Sequence, residues 1–418
     1  MLRLLIIIIM ILPSALWAQV SSDPTLIYEM ATENNVFVGA RAAGMAGAQI
    51  AAADDGSALW YNPALLTRIR RLELSGTLSH QRFFNETRFD AVNTIEAQLN
   101  KTRLSSLWGV FPVPVEQGGL SFAMAANRIK NFDRIFRFEN TPGWFAAPSG
   151  DGLGGGEDDR GSLWAYSIGA GVEMSTYTSI GIALEWYGGV NDYSYLDDEI
   201  VGPDTYSYRQ DLKNSYSGYS TKIGLAYSSG PNFHLGATIK PPTVLKVEQE
   251  NYQVSSINGS ADSDYSTGEY KFHLPFSFGV GVLYTIRDLL ITGDLIYTDF
   301  TQLEYKEGVD LFEANSDIKK YYNDVVTLNL GAEYFIPQWG LMLRGGYSRD
   351  PIPYNFYPVE DDLSVFTAGF GFLLDKTLKL DVAANFLNWT RKDNEFFGVG
   401  TVEKYRAQRV FLGITYRI

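Results

Sequence analysis

Residues 219–227 read Tyr-Ser-Thr-Lys-Ile-Gly-Leu-Ala-Tyr, and their period is two. Tyr219, Thr221, Ile223, Leu225 and Tyr227 share one face, while Ser220, Lys222, Gly224 and Ala226 share the other. Side chains along a strand point alternately to opposite faces, so this stretch predicts a strand with two unlike faces. The pattern repeats along the chain. In 326–336, Val326, Leu328, Leu330, Ala332, Tyr334 and Ile336 alternate with Thr327, Asn329, Gly331, Glu333 and Phe335. In 378–386, Leu378, Leu380, Val382, Ala384 and Phe386 alternate with Lys379, Asp381, Ala383 and Asn385. At the end, Val410, Leu412, Ile414 and Tyr416 alternate with Arg409, Phe411, Gly413, Thr415 and Arg417.

Marking every such run predicts fourteen strands: 72–80, 102–111, 118–130, 162–174, 178–192, 217–228, 232–247, 269–286, 289–305, 325–336, 339–349, 363–374, 377–391 and 405–417. The connections alternate between long (81–101, 131–161, 193–216, 248–268, 306–324, 350–362, 392–404) and short (112–117, 175–177, 229–231, 287–288, 337–338, 375–376). A soluble sandwich has no reason to keep that rhythm. A transmembrane barrel does, with short periplasmic turns on one rim and long outer loops on the other. An even strand number also brings both ends of the barrel to the periplasmic side. Lys222, Glu333, Arg344, Asp381 and Arg409 then point into a polar lumen and the apolar faces meet lipid.

The start of the chain agrees. Met1 and Arg3 precede an apolar run from Leu4 to Leu12, and Ala18 offers a small residue for cleavage, although Leu16 stands at the −3 position. This predicts a signal peptide over 1–18, too short to span a bilayer as a helix. With no later apolar run of membrane length, any crossing falls to strands, because in lipid only helices and closed barrels satisfy the backbone. The chain of 418 residues carries 40 Gly, 26 Tyr and 25 Phe, which suits many strands ending in aromatic belts. A net charge of −14 argues against nucleic acid as a partner. With no Cys, disulfides and thiolate chemistry are excluded.

Before the strands lies VFVGARAAGMAGAQIAAADDGSALWYNPALL (36–66). It is too rich in Gly for a good helix and too small in side-chain volume to form its own core. Its backbone can pack closely inside something else, which predicts a plug in the barrel. The stretch resembles the N-terminal segment of the FadL/TodX family of outer-membrane transporters for hydrophobic compounds, through Gly39, Gly44, Gly47, Asp54-Asp55, Ser57-Ala58 and Asn62-Pro63-Ala64. Two strand blocks, 274–300 and 328–354, are similar to that family as well. The chain departs from its pattern at Leu65 (usually Gly), at Phe300 (commonly Trp) and at the end, Tyr416-Arg417-Ile418.

The resemblance implies an all-β fold: a fourteen-stranded outer-membrane barrel over 70–418 with a hatch over 19–69 in its lumen. It also implies passive uptake of long-chain fatty acids or other hydrophobic small molecules. The ligand is captured outside, held in an apolar pocket, and released through the barrel wall as the hatch shifts. The expected partners are that ligand and the outer membrane with its lipopolysaccharide; a monomer is expected, with no cofactor. A rival reading is an outer-membrane platform for a protein partner in secretion or surface assembly.

The hatch and gating candidates are Gly44, Gly47, Asp54, Asp55, Asn62 and Pro63. The Asp pair would cap a hatch helix or pair with Lys222, Arg344 or Arg409, and Asn62-Pro63 would end any helix before it. Lys222 and Arg344 are candidates for a ligand head group, against the plainer reading of an ion-pair network across the lumen. The acidic clusters Glu157-Asp158-Asp159, Asp197-Asp198-Glu199 and Glu360-Asp361-Asp362 fall in predicted outer loops, either solvated or holding divalent cations that bridge lipopolysaccharide. Other chemistry finds no support. The Gly-rich 150–156 run lacks Gly-Lys-Ser/Thr, and His80, His234 and His273 lack metal-ligand spacing. No Gly-x-Ser-x-Gly elbow is present and Ser79-His80 alone makes no catalytic site, so no enzyme is expected.

Overall fold

Each alternating run pairs antiparallel with the next along the chain, and the last returns to the first, Glu73↔Arg417 through Phe89↔Thr401. The computed structural model describes residues 36–89, 93–138, 154–201, 203–307, 311–355, 362–393 and 401–418; the expected signal peptide, 1–18, lies outside them. Eighteen extended segments, eight of which join in pairs, make fourteen strands. These are β1 (Glu73–Phe89), β2 (Asn93–Val113), β3 (Leu120–Asn131 with Arg134–Phe138), β4 (Gly154–Glu173), β5 (Thr178–Val201), β6 (Asp204–Ser229) and β7 (Phe233–Lys240 with Thr243–Ile257). Then follow β8 (Ser260–Leu274 with Ser277–Ile286), β9 (Leu289–Asp299 with Glu304–Glu307), β10 (Asp324–Ile336), β11 (Leu341–Asp350), β12 (Leu363–Leu373), β13 (Leu378–Asp393) and β14 (Thr401–Arg417). The breaks in β7 and β8 fall at Pro241-Pro242 and Pro275, where the ladder loses its donors. Both halves of β7 still pair with β6, and both halves of β3 with β4. Three helices complete the described residues: α1 (Ala40–Gly44), α2 (Ala58–Tyr61) and α3 (Leu311–Tyr321), with 3-10 turns at Pro63–Arg68 and Phe300–Gln302.

The faces are those of a barrel in lipid. Ile223 and Leu225 stand nearly half exposed on the outside while Lys222 and Ala226 are buried within, and Val410, Leu412, Ile414 and Tyr416 face out against buried Arg409 and Phe411. Tyr177, Tyr227, Tyr284, Tyr334, Trp339 and Tyr416 form an exposed aromatic girdle at the end with the short turns. Tyr166, Trp186 and Tyr219, paired in register across three strands, mark the opposite girdle. Tyr219 to Tyr227 is eight residue steps, about 26 Å along the strand, which fits the apolar band of an outer-membrane barrel.

The predicted outer loops are the main correction. Most of 81–101, 193–216 and 248–268 is strand: β5 and β6 stay paired from Thr178↔Tyr227 to Val201↔Asp204. A strand needs about ten residues to cross a bilayer, and β5 has 24. Beyond the bilayer no lipid demands an apolar face, so strands there lose the alternation that identified them. The acids Glu157-Asp158-Asp159 and Asp197-Asp198-Glu199 accordingly lie in β4 and β5 rather than in loops. Glu360, Asp361 and residues 150–153 lie outside the described residues; Asp362 pairs with Arg349 at 2.6 Å. The 306–324 connection holds α3, whose Ile318 packs with Phe300, Leu303, Tyr322 and Tyr354.

Candidate functional site

Residues 36–69 pack inside the lumen, and their local structure follows from small side chains. Gly47 adopts φ +76, and a Cβ there would lie 2.7 Å from the Phe37 ring. Gly44 lies against β12: a Cβ on Gly369 would come within 3.2 Å of the Gly44 Cα, and the Gly44 carbonyl accepts from Thr367 Oγ1 at 3.0 Å. Asp55 is buried; its Oδ1 accepts from the Ser57 N–H at 3.0 Å and from the Ser57 hydroxyl, closing the turn into α2. Asp54 is half exposed and pairs with Arg41 Nη1 at 3.4 Å. Among the described residues, neither Asp forms an ion pair with Lys222, Arg344 or Arg409, because the hatch carries its own cation in Arg41.

Asn62 fixes the Asn-Pro corner. Its Nδ2 donates to the Ile50 carbonyl at 2.8 Å within the hatch and to the Leu225 carbonyl of β6 at 3.1 Å, and its Oδ1 accepts from Ala64 N at 3.1 Å. Pro63 opens the 3-10 turn, where its missing N–H costs nothing. The wall gives way to this corner with glycines on its inner face. A Cβ on Gly224 would lie 2.1 Å from Asn62 Oδ1, one on Gly236 2.0 Å from the Ile50 carbonyl oxygen, and one on Gly181 2.3 Å from the Pro63 carbonyl carbon.

Two acids of the wall hold the hatch on its other side. Arg41 is 2% exposed and forks onto Glu333 of β10 with Nε and Nη2, each at 3.1 Å, while Nη1 donates to Gln49 Oε1 at 3.0 Å and the Ala52 carbonyl at 3.2 Å. Such bidentate pairs add geometric specificity to charge. Asp294 Oδ2 of β9 accepts from the backbone N–H groups of Gln49 at 2.6 Å and Ile50 at 2.9 Å. Arg344, a head-group candidate, is fully enclosed between Glu333 at 2.6 Å and Asp381 at 2.7 Å and does not line the cavity described next. The plainer ion-pair reading therefore describes Arg344.

On the outer side of the hatch lies a cavity of about 330 Å³. Trp60 and Tyr61 of the hatch line it together with apolar wall residues that include Ile129, Leu163, Leu245, Ile296 and Phe300. Three lysines, Lys130, Lys222 and Lys240, also line it, against one carboxylate, Asp350. Lys222 Nζ sits 4.0 Å from the centre of the Trp60 ring, donates to the Trp60 carbonyl and lies 3.6 Å from Glu185. Lys240 Nζ lies 3.9 Å from the same carboxylate and 5.1 Å from the Tyr187 ring. The size is at the low end for ligand pockets, and the mix of apolar wall and few convergent charges is typical of them.

Sequence reasoning missed Arg41, Asp294 and Lys240. The last two carried a signal: each occupies the inward phase of its strand, Asp294 beside outward Leu295 and Lys240 beside outward Ile239. Arg41 had none beyond being a charge in a run of small residues.

Residues 165–396 match a family model described as outer membrane protein transport protein (OMPP1/FadL/TodX). No curated protein sequence matches the chain. Among solved structures, a Pseudomonas aeruginosa FadL homologue superposes with a TM-score of 0.68 at 12% identity, over 92% of this chain and 99% of that one. The P. putida toluene transporter TodX gives 0.68 at 13% identity, over 91% and 99%. The CymD monoaromatic hydrocarbon channel gives 0.62 at 13% identity, over 93% and 99%. At such identities the superpositions establish a shared fold.

Proposed function

The chain belongs to the outer membrane protein transport family (OMPP1/FadL/TodX), and from that membership we propose passive uptake of long-chain fatty acids or other hydrophobic small molecules across the outer membrane, gated by the hatch and released through the barrel wall. The observation that carries this reading is the largely apolar cavity of about 330 Å³ directly against the hatch, with lysines on its wall. Apolar burial holds the ligand body, and Lys222 and Lys240 favour one whose end is anionic. In this reading 1–18 is removed on export, 19–69 acts as the hatch and 70–418 as the barrel. One chain supplies barrel, hatch and cavity, so a monomer suffices, with its outer strands among lipopolysaccharide. Release is easiest where the wall is least paired: the β2–β3 ladder runs only from Ser106↔Asn127 to Val113↔Leu120, and Ile129 and Lys130 line the cavity just past its end.

The test is binding of labelled oleate to the purified protein and its uptake by cells. Lys240→Met is expected to weaken oleate binding roughly 10- to 100-fold, as the loss of a charge-assisted hydrogen bond implies, and to leave a neutral hydrocarbon such as toluene unaffected. Equal losses for both ligands would show that the lysine supports the wall rather than the ligand. Gating is tested by Asn62→Ala, which leaves the Ile50 and Leu225 carbonyls without their side-chain donor. Freeing that corner is expected to raise transfer several-fold, on the scale of about 1–3 kcal/mol for unmet buried partners. Uptake identical to wild type would sink the gating mechanism.

A further inference from the structure

Beneath the hatch, on the side of the short turns, a second concavity of about 440 Å³ opens at the periplasmic mouth. Six cationic side chains line it: Arg68, Arg70, Arg71, Lys376, Lys379 and Arg417. Only two acids, Asp54 and Asp375, share the lining. This reverses the balance of the whole chain, in which 48 acidic residues outnumber 34 basic ones.

Both acids are already engaged. Asp54 pairs with Arg41 at 3.4 Å. Asp375 closes the β12–β13 turn, its Oδ1 accepting from the Thr377 hydroxyl at 2.7 Å and from the N–H groups of Thr377 and Leu378 at 2.6 and 2.7 Å. The Thr377 hydroxyl and those N–H groups hold its carboxyl below the usual carboxylate range. Three of the cations have carboxylates of their own: Arg70 with Glu173, Arg417 with Glu73 at 2.7 Å and Lys379 with Asp381 at 3.3 Å. The other three have none among the described residues. Arg68 Nη1 donates to the Ala51 carbonyl at 2.8 Å, and its Nη2 is buried without an acceptor. Arg71 Nη1 reaches only the Lys376 carbonyl, at 3.3 Å. Lys376 extends from an exposed turn.

We propose that this vestibule binds a phosphate-type oxyanion, either free or carried on an anionic phospholipid headgroup. Two guanidinium groups and an ammonium group without carboxylate partners line a space in which six cations outnumber two engaged acids, and guanidinium forks match phosphate oxygens in pairs. The rim favours the lipid-borne form: Leu373, Leu374 and Ile418 are exposed at the bilayer edge beside the vestibule, and basic pockets next to a membrane take lipid head groups. The inference does not depend on which molecule the barrel carries.

The test uses the full-length protein. In zwitterionic detergent it is titrated with inorganic phosphate by calorimetry. In nanodiscs of phosphatidylcholine with or without phosphatidylglycerol, retained lipid is then counted by native mass spectrometry. Saturable phosphate binding that weakens at least tenfold in Arg71→Ala/Lys376→Ala supports the site with free phosphate as its ligand. No phosphate binding, but retention of phosphatidylglycerol that the double variant abolishes, supports it with the lipid as ligand. Arg68→Gln, which removes the charge of the unaccepted guanidinium, must act in the same direction. Absence of both ligands, or binding unchanged in both variants, overturns the proposal. Heat-modifiable migration of each variant checks that the barrel is folded.

Discussion

Replacing Arg41 with alanine is expected to unseat the hatch while the barrel stays closed. The Arg41 guanidinium is buried and serves four acceptors: both Glu333 oxygens, Gln49 Oε1 and the Ala52 carbonyl. Removing it leaves Glu333 with Arg344 alone and frees the two hatch acceptors inside the lumen. Breaking one side of a buried pair costs up to about 3–5 kcal/mol; here Glu333 keeps Arg344, and half-exposed Asp54 loses its partner. The strands keep their own ladders, which do not involve Arg41, so the cost falls on docking of the hatch. The expected readout is a large rise in ion conductance in planar bilayers relative to wild type, with unchanged heat-modifiable migration. Arg41→Lys keeps a charge but not the fork, and should fall between the two. Wild-type conductance in Arg41→Ala would mean that Asp294 and the Asn62 corner hold the hatch without this pair.

The strand segments that lipid touches were legible in the sequence, and their extensions into water were not. Tyr219 to Tyr227 announces its strand because the bilayer requires an apolar outer face and the lumen allows a polar inner one. The same two strands continue through Asp192 and Lys213, which pair in register, with no such signature, since water wets that region. The hatch was legible as a segment with no core of its own. Its latch was not, because Arg41 and Glu333 are 292 residues apart and each looks like an ordinary charge locally. Lys222 was legible as inward-facing, but its position beside Trp60 depends on how the hatch packs. The inward glycines were visible as gaps in the polar face; only the packed hatch shows what fills them.

Those glycines give the sharpest separation of hatch from barrel, because one substitution should push the two in opposite directions. Valine at Gly224 is expected to expel the Asn62 corner. Its Cβ would lie 2.1 Å from Asn62 Oδ1, 2.9 Å from Pro63 Cδ and 3.0 Å from Ala64 N, distances that no small adjustment relieves. Overpacking of this kind costs about 1–3 kcal/mol or more, borne by whichever part can move. β6 is held in register by β5 and β7, so the hatch gives way. For the strand itself, valine in place of glycine is favourable, on a propensity scale spanning about 1 kcal/mol. Hydrogen exchange at 58–66 should therefore accelerate roughly 10- to 100-fold, the kinetic equivalent of that docking cost. The denaturant midpoint of the barrel should hold or rise. Gly268→Val is the matched control: it lies in β8 beyond the bilayer, and a Cβ there meets no atom within 4 Å. Exchange in the hatch that is equally fast in both variants would refute the close approach of Asn62 to the wall as the reason for glycine at 224.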